Sequence, residues 1–108
     1  MAWYVYVAAL FAGAFAANAV PHSVQGICGN RFQTPFASPP GRGESSALVN
    51  VLWGAANAAI ASILVHVFFP REFPPPSSLC LLAGVGALLT ALWLSHHFSR
   101  VRSNPPRP

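Results

Sequence analysis

Three apolar stretches, from about Trp3 to Val20, Leu48 to Phe69 and Leu79 to Phe98, contain no lysine, arginine, aspartate or glutamate. Each holds about 18 to 22 residues, and a helix of about 20 residues crosses the hydrocarbon core of a bilayer at 1.5 Å rise per residue. A backbone in hydrocarbon must satisfy its own hydrogen bonds, so such stretches are read as spanning helices. Composition agrees. Apolar residues make up 54% of the 108 and charged residues 7%, against about 25% charged in a soluble domain. The expected fold class is all-α: one integral membrane domain, residues 1–108, with three transmembrane helices.

The first stretch opens with Trp3, Tyr4 and Tyr6, residues that favour the membrane–water interface. Ala9, Gly13 and Ala17 follow at four-residue spacing and let another helix approach closely. Ala17-Asn18-Ala19 also fits a signal-peptidase site, with residues 1–19 as the leader. No Lys or Arg precedes the apolar run, as a leader would require, so the segment is expected to be retained. In the second stretch Asn50, Trp53, Gly54, Asn57, Ala61 and Leu64 share one helical stripe, with Gly54, Ala58 and Ser62 as a small-residue ridge beside it. Ala83, Ala87 and Ala91 repeat that ridge in the third. Pro70 is expected to stop the second helix. Ser45 or Ser46, and Ser77 or Ser78, are offered as N-terminal caps, with Glu44 as an N-terminal carboxylate for the second helix. The tail, residues 99–108, holds three arginines and three prolines and is expected to be disordered.

Residues 21–47 join the first two spans. Pro21, Pro35, Pro39, Pro40 and four glycines exclude a long helix there. Val24, Ile27, Phe32 and Phe36 recur among the polar residues, unlike a flexible linker. The reading is an ordered Gly/Pro/Phe-rich connector, with Phe32 and Phe36 packed on the ends of the first two helices. Arg31, Phe32, Thr34, Pro35, Phe36 and Arg42 form its candidate docking surface.

The formal net charge is +4, and all six basic residues are arginines. Three spans put the connector and the tail on one side with Arg31, Arg42, Arg100, Arg102 and Arg107. The N-terminus and second loop carry only Arg71. Positive residues stay cytoplasmic, so the N-terminus is expected outside and the C-terminus in the cytoplasm. The arginines are spread over loops rather than set in a stripe, so they suit topology and phospholipid headgroups, not nucleic acid. Cys28 and Cys80 then lie about 30 Å apart across the bilayer and are expected to stay unpaired.

Little in the chain suggests catalysis. There is no aspartate, both glutamates lie in loops, and no G-x-S-x-G or phosphate-loop motif occurs. The expectation is no enzymatic activity and no cofactor. His22, His96 and His97 fall at one membrane face near Cys28, a weak candidate haem or metal set; water and headgroups satisfy interfacial histidines equally well. Asn57 and Thr90 fall at equal depth and are expected to bond between helices, as Asn18 and Asn50 do nearer the surface. Such pairs contribute about 0.6 kcal/mol in lipid.

Residues Asn18, Pro21-His22, Gly26-Ile27, Gly29-Asn30-Arg31-Phe32, Thr34-Pro35-Phe36-Ala37, Pro39-Pro40-Gly41, Gly43, Ser45-Ser46 and Asn50-Val51-Leu52-Trp53-Gly54 carry a resemblance. The pattern G-x-x-G-x-x-F-x-T-P-F-A-x-P-P-G resembles the connector of a family of small uncharacterised bacterial inner-membrane proteins. It covers about a third of the chain together with the layout of spans. The resemblance implies bacterial origin and inner-membrane residence, but no activity. The functional expectation is association with another membrane protein or with itself, as accessory subunit or homo-oligomer, in contact with the lipid bilayer. The residues leave the identity of any small-molecule ligand open. The alternatives are a holin-like pore former, for which the connector is long, and a haem or metal protein using the three histidines.

Overall fold

The computed structural model describes residues 1–103. The helices are α1 (Trp3–Ile27), α2 (Ala47–Phe68) and α3 (Ser77–Ser103), with two short strands, β1 (Phe32–Gln33) and β2 (Glu44–Ser45), between the first two. All three helices are long and apolar enough to cross a membrane. The molecule is 51 Å long and 24 by 19 Å across.

Two expected boundaries are wrong, both because helices run further than the proline and charge signals suggest. Pro21 lies inside α1, which continues for nearly two more turns to Ile27. Proline removes one backbone donor without ending the helix, as apolar helices in a membrane tolerate. The true stop is Gly29, at φ 78°. The Asn30 N–H donates to the Gln25 carbonyl at 2.9 Å and the Gly29 N–H to the Gly26 carbonyl at 3.0 Å, the paired bonds of a left-handed helix cap. The connector therefore starts at Cys28, not at residue 21. Likewise α3 carries residues 99–103 of the expected disordered tail as helix; the remainder of that tail lies outside the described residues.

The other ends follow the sequence more closely. Ser46 caps α2, its Oγ accepting the Val49 N–H at 3.2 Å. The α2 helix ends at Phe68, just before Pro70. At the start of α3 the Pro76 carbonyl accepts the Leu79 and Cys80 N–H groups, and Ser77 is the first helical residue rather than a cap.

The α1 helix lies between the other two and packs along both, whereas α2 and α3 barely touch. Small residues make this possible. A Cβ on Gly86 would overlap the Leu10 carbonyl, one on Gly13 the Ala83 carbonyl, and one on Gly54 the Ser23 side chain. The expected α2 stripe is the face against α1: Asn50, Gly54, Asn57 and Ala61 are buried, with Trp53 and Leu64 half-buried at its edges. Val5, Ala9 and Leu79 form an apolar core near the N-terminal end, covered by Tyr6, Phe69 and Leu82. Tyr4 meets Phe68 edge to face at 6.1 Å there, so the N-terminus and the α2–α3 loop share one end. The connector and the last turns of α3 share the other.

Candidate functional site

The connector folds into a cap over its end of the bundle. Strands β1 and β2 pair antiparallel, with Phe32 opposite Ser45 and Gln33 opposite Glu44. Between them Thr34 organises the turn. Its carbonyl accepts the Gly41 N–H at 2.9 Å, and its hydroxyl bonds Ser45 Oγ and accepts the Phe36 N–H. The Gly43 and Arg42 N–H groups both donate to the Pro39 carbonyl, at 2.7 and 3.0 Å. These bonds close the turn between Thr34 and Gly43 on itself.

Asn50 joins this cap to the helices. It is 0% exposed. Its Nδ2 donates to the carbonyls of Phe32, Ser45 and Ser46 at 3.0 to 3.2 Å. With the amide turned this way, Oδ1 is left to accept from His22 Nδ1 at 2.8 Å. One side chain on α2 therefore holds both strands of the cap and the end of α1. His22 is 3% exposed and meets the rings of Phe32, Trp53 and Phe98 edge to face.

The end of α3 closes the third side. Phe98 packs on Phe32 with ring centres 4.6 Å apart. His97 Nε2 donates to the Gly41 carbonyl at 2.8 Å, and the His97 ring stacks on Trp93 at 5.1 Å. Arg102 reaches back to the cap. Its Nη1 donates to Gln33 Oε1 at 3.1 Å and lies 3.7 Å from the Glu44 carboxylate, while its guanidinium sits over the Phe32 ring at 5.0 Å.

The expected site residues therefore separate. Phe32 and Thr34 are buried, as the packing role of Phe32 requires. Phe36 is 66% exposed and touches Trp53 edge to face at 4.9 Å; it lies on the helix end without being covered. Pro35 is exposed beside it. Arg31 donates to the Glu44 carbonyl at 3.0 Å and staples the strands. The Arg42 backbone N–H belongs to the cap's hydrogen-bond network, whereas its exposed guanidinium bonds no other described residue.

The interhelical pairs form across the expected ones. Asn18 Nδ2 donates to Asn57 Oδ1 at 3.0 Å, and Asn57 Nδ2 donates to the Trp53 carbonyl at 2.8 Å. Thr90 does not bond Asn57; it faces the same cleft, of about 310 Å³, as Asn18 and Asn57. The histidines are not assembled as ligands. His22 bonds Asn50, His97 bonds Gly41, and His96 is exposed. Among the described residues no three His, Cys, Asp or Glu side chains are grouped for a metal. Cys28 and Cys80 are both free and exposed.

Sequence reasoning missed Gln33, Gly41, Phe98 and Arg102. Glu44 was the available signal for Arg102, being the one acid on the arginine-rich side. Compared with protein-family models, curated proteins and solved structures, the chain matches none.

Proposed function

We propose that the protein works by association within the membrane, without enzymatic activity, as an accessory subunit or a homo-oligomer. The observation that carries this reading is the splay of α2 and α3 about α1. It leaves a groove of about 500 Å³ whose walls include Ala12, Ala16, Ala61, Ser62 and Ala83. Small residues on all three helices let a further helix come close, and van der Waals contact is what drives helix association in lipid. The occupant is a transmembrane helix, from a second copy or from another membrane protein.

The proposed setting is a bacterial inner membrane, with the N-terminus outside and the C-terminus cytoplasmic. The connector resemblance supports the first part. The arginine asymmetry supports the second, since Arg31, Arg42, Arg100 and Arg102 gather at the cap end and Arg71 alone at the other.

Ser62 and Ala16 are exposed in the groove, so leucine at both positions fills it without entering the α1 packing faces. In-membrane cross-linking at native expression should show a discrete adduct for the unaltered chain and lose it in the Ala16→Leu, Ser62→Leu double variant. An adduct equally strong in the double variant would count against the groove. Absence of any adduct in the unaltered chain would count against association.

A further inference from the structure

We infer that Arg42 and Arg100, held to one cleft by His97, form a binding site for the phosphate of an anionic phospholipid. The three side chains line one cleft of about 180 Å³, with Val101 as its apolar wall. The site is assembled from two distant parts of the chain. The His97 Nε2 bond to the Gly41 carbonyl fixes the residue next to Arg42 against α3, and Arg100 follows His97 by one helical turn. Gly41 adopts φ 74°, a conformation open to glycine.

Charge favours an anion in this cleft. The ion pair found among the described residues is Arg102 with Glu44. Glu72 belongs to the loop at the opposite end. Arg42 and Arg100 thus have no carboxylate partner among the described residues, and two guanidinium groups facing one cleft repel each other until a negative group enters. A phosphate presents oxygens that match the planar donor fork of arginine.

Position favours a lipid over a free anion. The apolar run of α3 ends at Phe98, so Arg100 stands just beyond the hydrocarbon, at headgroup depth. The same part of α3 is apolar on its way into the membrane: Phe98, Leu94 and Leu88 line a groove of about 540 Å³ against Val20 and Pro21 of α1. That surface suits an acyl chain whose phosphate is held above.

The test uses the full chain in a zwitterionic detergent, titrated with short-chain phosphatidylglycerol, short-chain phosphatidylcholine and inorganic phosphate, with bound ligand read by native mass spectrometry. Each arginine near a membrane surface contributes about fivefold to the binding of an anionic lipid. The Arg42→Gln, Arg100→Gln variant should therefore bind phosphatidylglycerol about 30-fold more weakly. Arg71→Gln, at the opposite end, should bind it as the unaltered chain does. Phosphatidylcholine and inorganic phosphate should both bind more weakly than phosphatidylglycerol. The proposal is overturned if the double variant binds normally, if Arg71→Gln weakens binding equally, or if inorganic phosphate binds as tightly as the lipid.

Discussion

His22 donates from Nδ1 to Asn50 Oδ1 at 2.8 Å, and this one bond ties the end of α1 to the first turn of α2 beneath the connector. The pair lies under a cap that both strands build, so the fixed position of the connector and the relative position of two helices depend on the same amide.

Asn50→Ala removes the donor from three backbone carbonyls and the acceptor from His22. The Ser46 carbonyl keeps the backbone N–H of residue 50, but leaving the buried His22 Nδ1 without a partner costs about 1 to 3 kcal/mol. The variant should lower the thermal unfolding midpoint in detergent, and it should do so more than Asn18→Ala, which breaks one partly buried bond. Equal midpoints for the two variants would show that Asn50 is not the junction.

Two glycines on α3 provide a matched pair. A methyl on Gly86 meets the Leu10 backbone, while one on Gly84 meets nothing within 4 Å. Gly86→Ala should destabilise by about 1 to 3 kcal/mol through overpacking. Gly84→Ala should be neutral or stabilising by up to about 1 kcal/mol, because alanine favours helix. Reversible unfolding in mixed micelles separates them, and a similar effect at both sites would contradict the α1–α3 contact.

Much of this arrangement is legible in the residues. The three long apolar helices follow from run length, the buried stripe from Asn50 to Ala61 from helical period, and a serine cap on α2 from Ser45-Ser46. The polar pairing does not, for a traceable reason. Ending α1 at Val20 instead of Ile27 misplaces it by seven residues, about 10 Å of helix. That shift sets Asn18 level with Asn50, when it actually meets Asn57, seven residues further along α2. His22, read as part of a loop, is the true partner of Asn50. Gly29 and Asn30 carried the stop signal, but Pro21 came first in the chain. The contacts of Arg102 were hidden because they depend on α3 continuing through residues taken for a tail.

The two cap phenylalanines should behave differently. Phe32 is buried among His22, Phe98 and Arg102, and truncating such a ring costs about 3 to 5 kcal/mol. Phe36 has one aromatic neighbour and open space. Phe32→Ala should make the connector sensitive to limited proteolysis while all three helices still insert. Phe36→Ala should leave cleavage rates near those of the unaltered chain. Equal sensitivity in both variants would contradict the burial of Phe32.

Sidedness can be read from two exposed positions at opposite ends. Cys28 follows α1 at the cap end, and Phe73 is 96% exposed in the α2–α3 loop. In a Cys80→Ser background, a membrane-impermeant maleimide applied to intact cells should leave Cys28 unlabelled until the membrane is permeabilised. With Cys28→Ser and Phe73→Cys as well, the loop should label at once. The reverse pattern would place the cap outside.

Amide hydrogen exchange across residues 34–43, with the protein in lipid nanodiscs, tests whether the connector is an ordered cap. The N–H groups of Gly41, Arg42 and Gly43 are bonded to the carbonyls of Thr34 and Pro39, within a unit held by Asn50, His97 and Arg102. They should exchange at least about a hundredfold more slowly than in an unstructured peptide of the same sequence, as amides do when they open only with a cooperative unit. Asn50→Ala should remove most of that protection. Exchange at the unstructured rate in the unaltered protein would mean that the connector is a linker and not a cap.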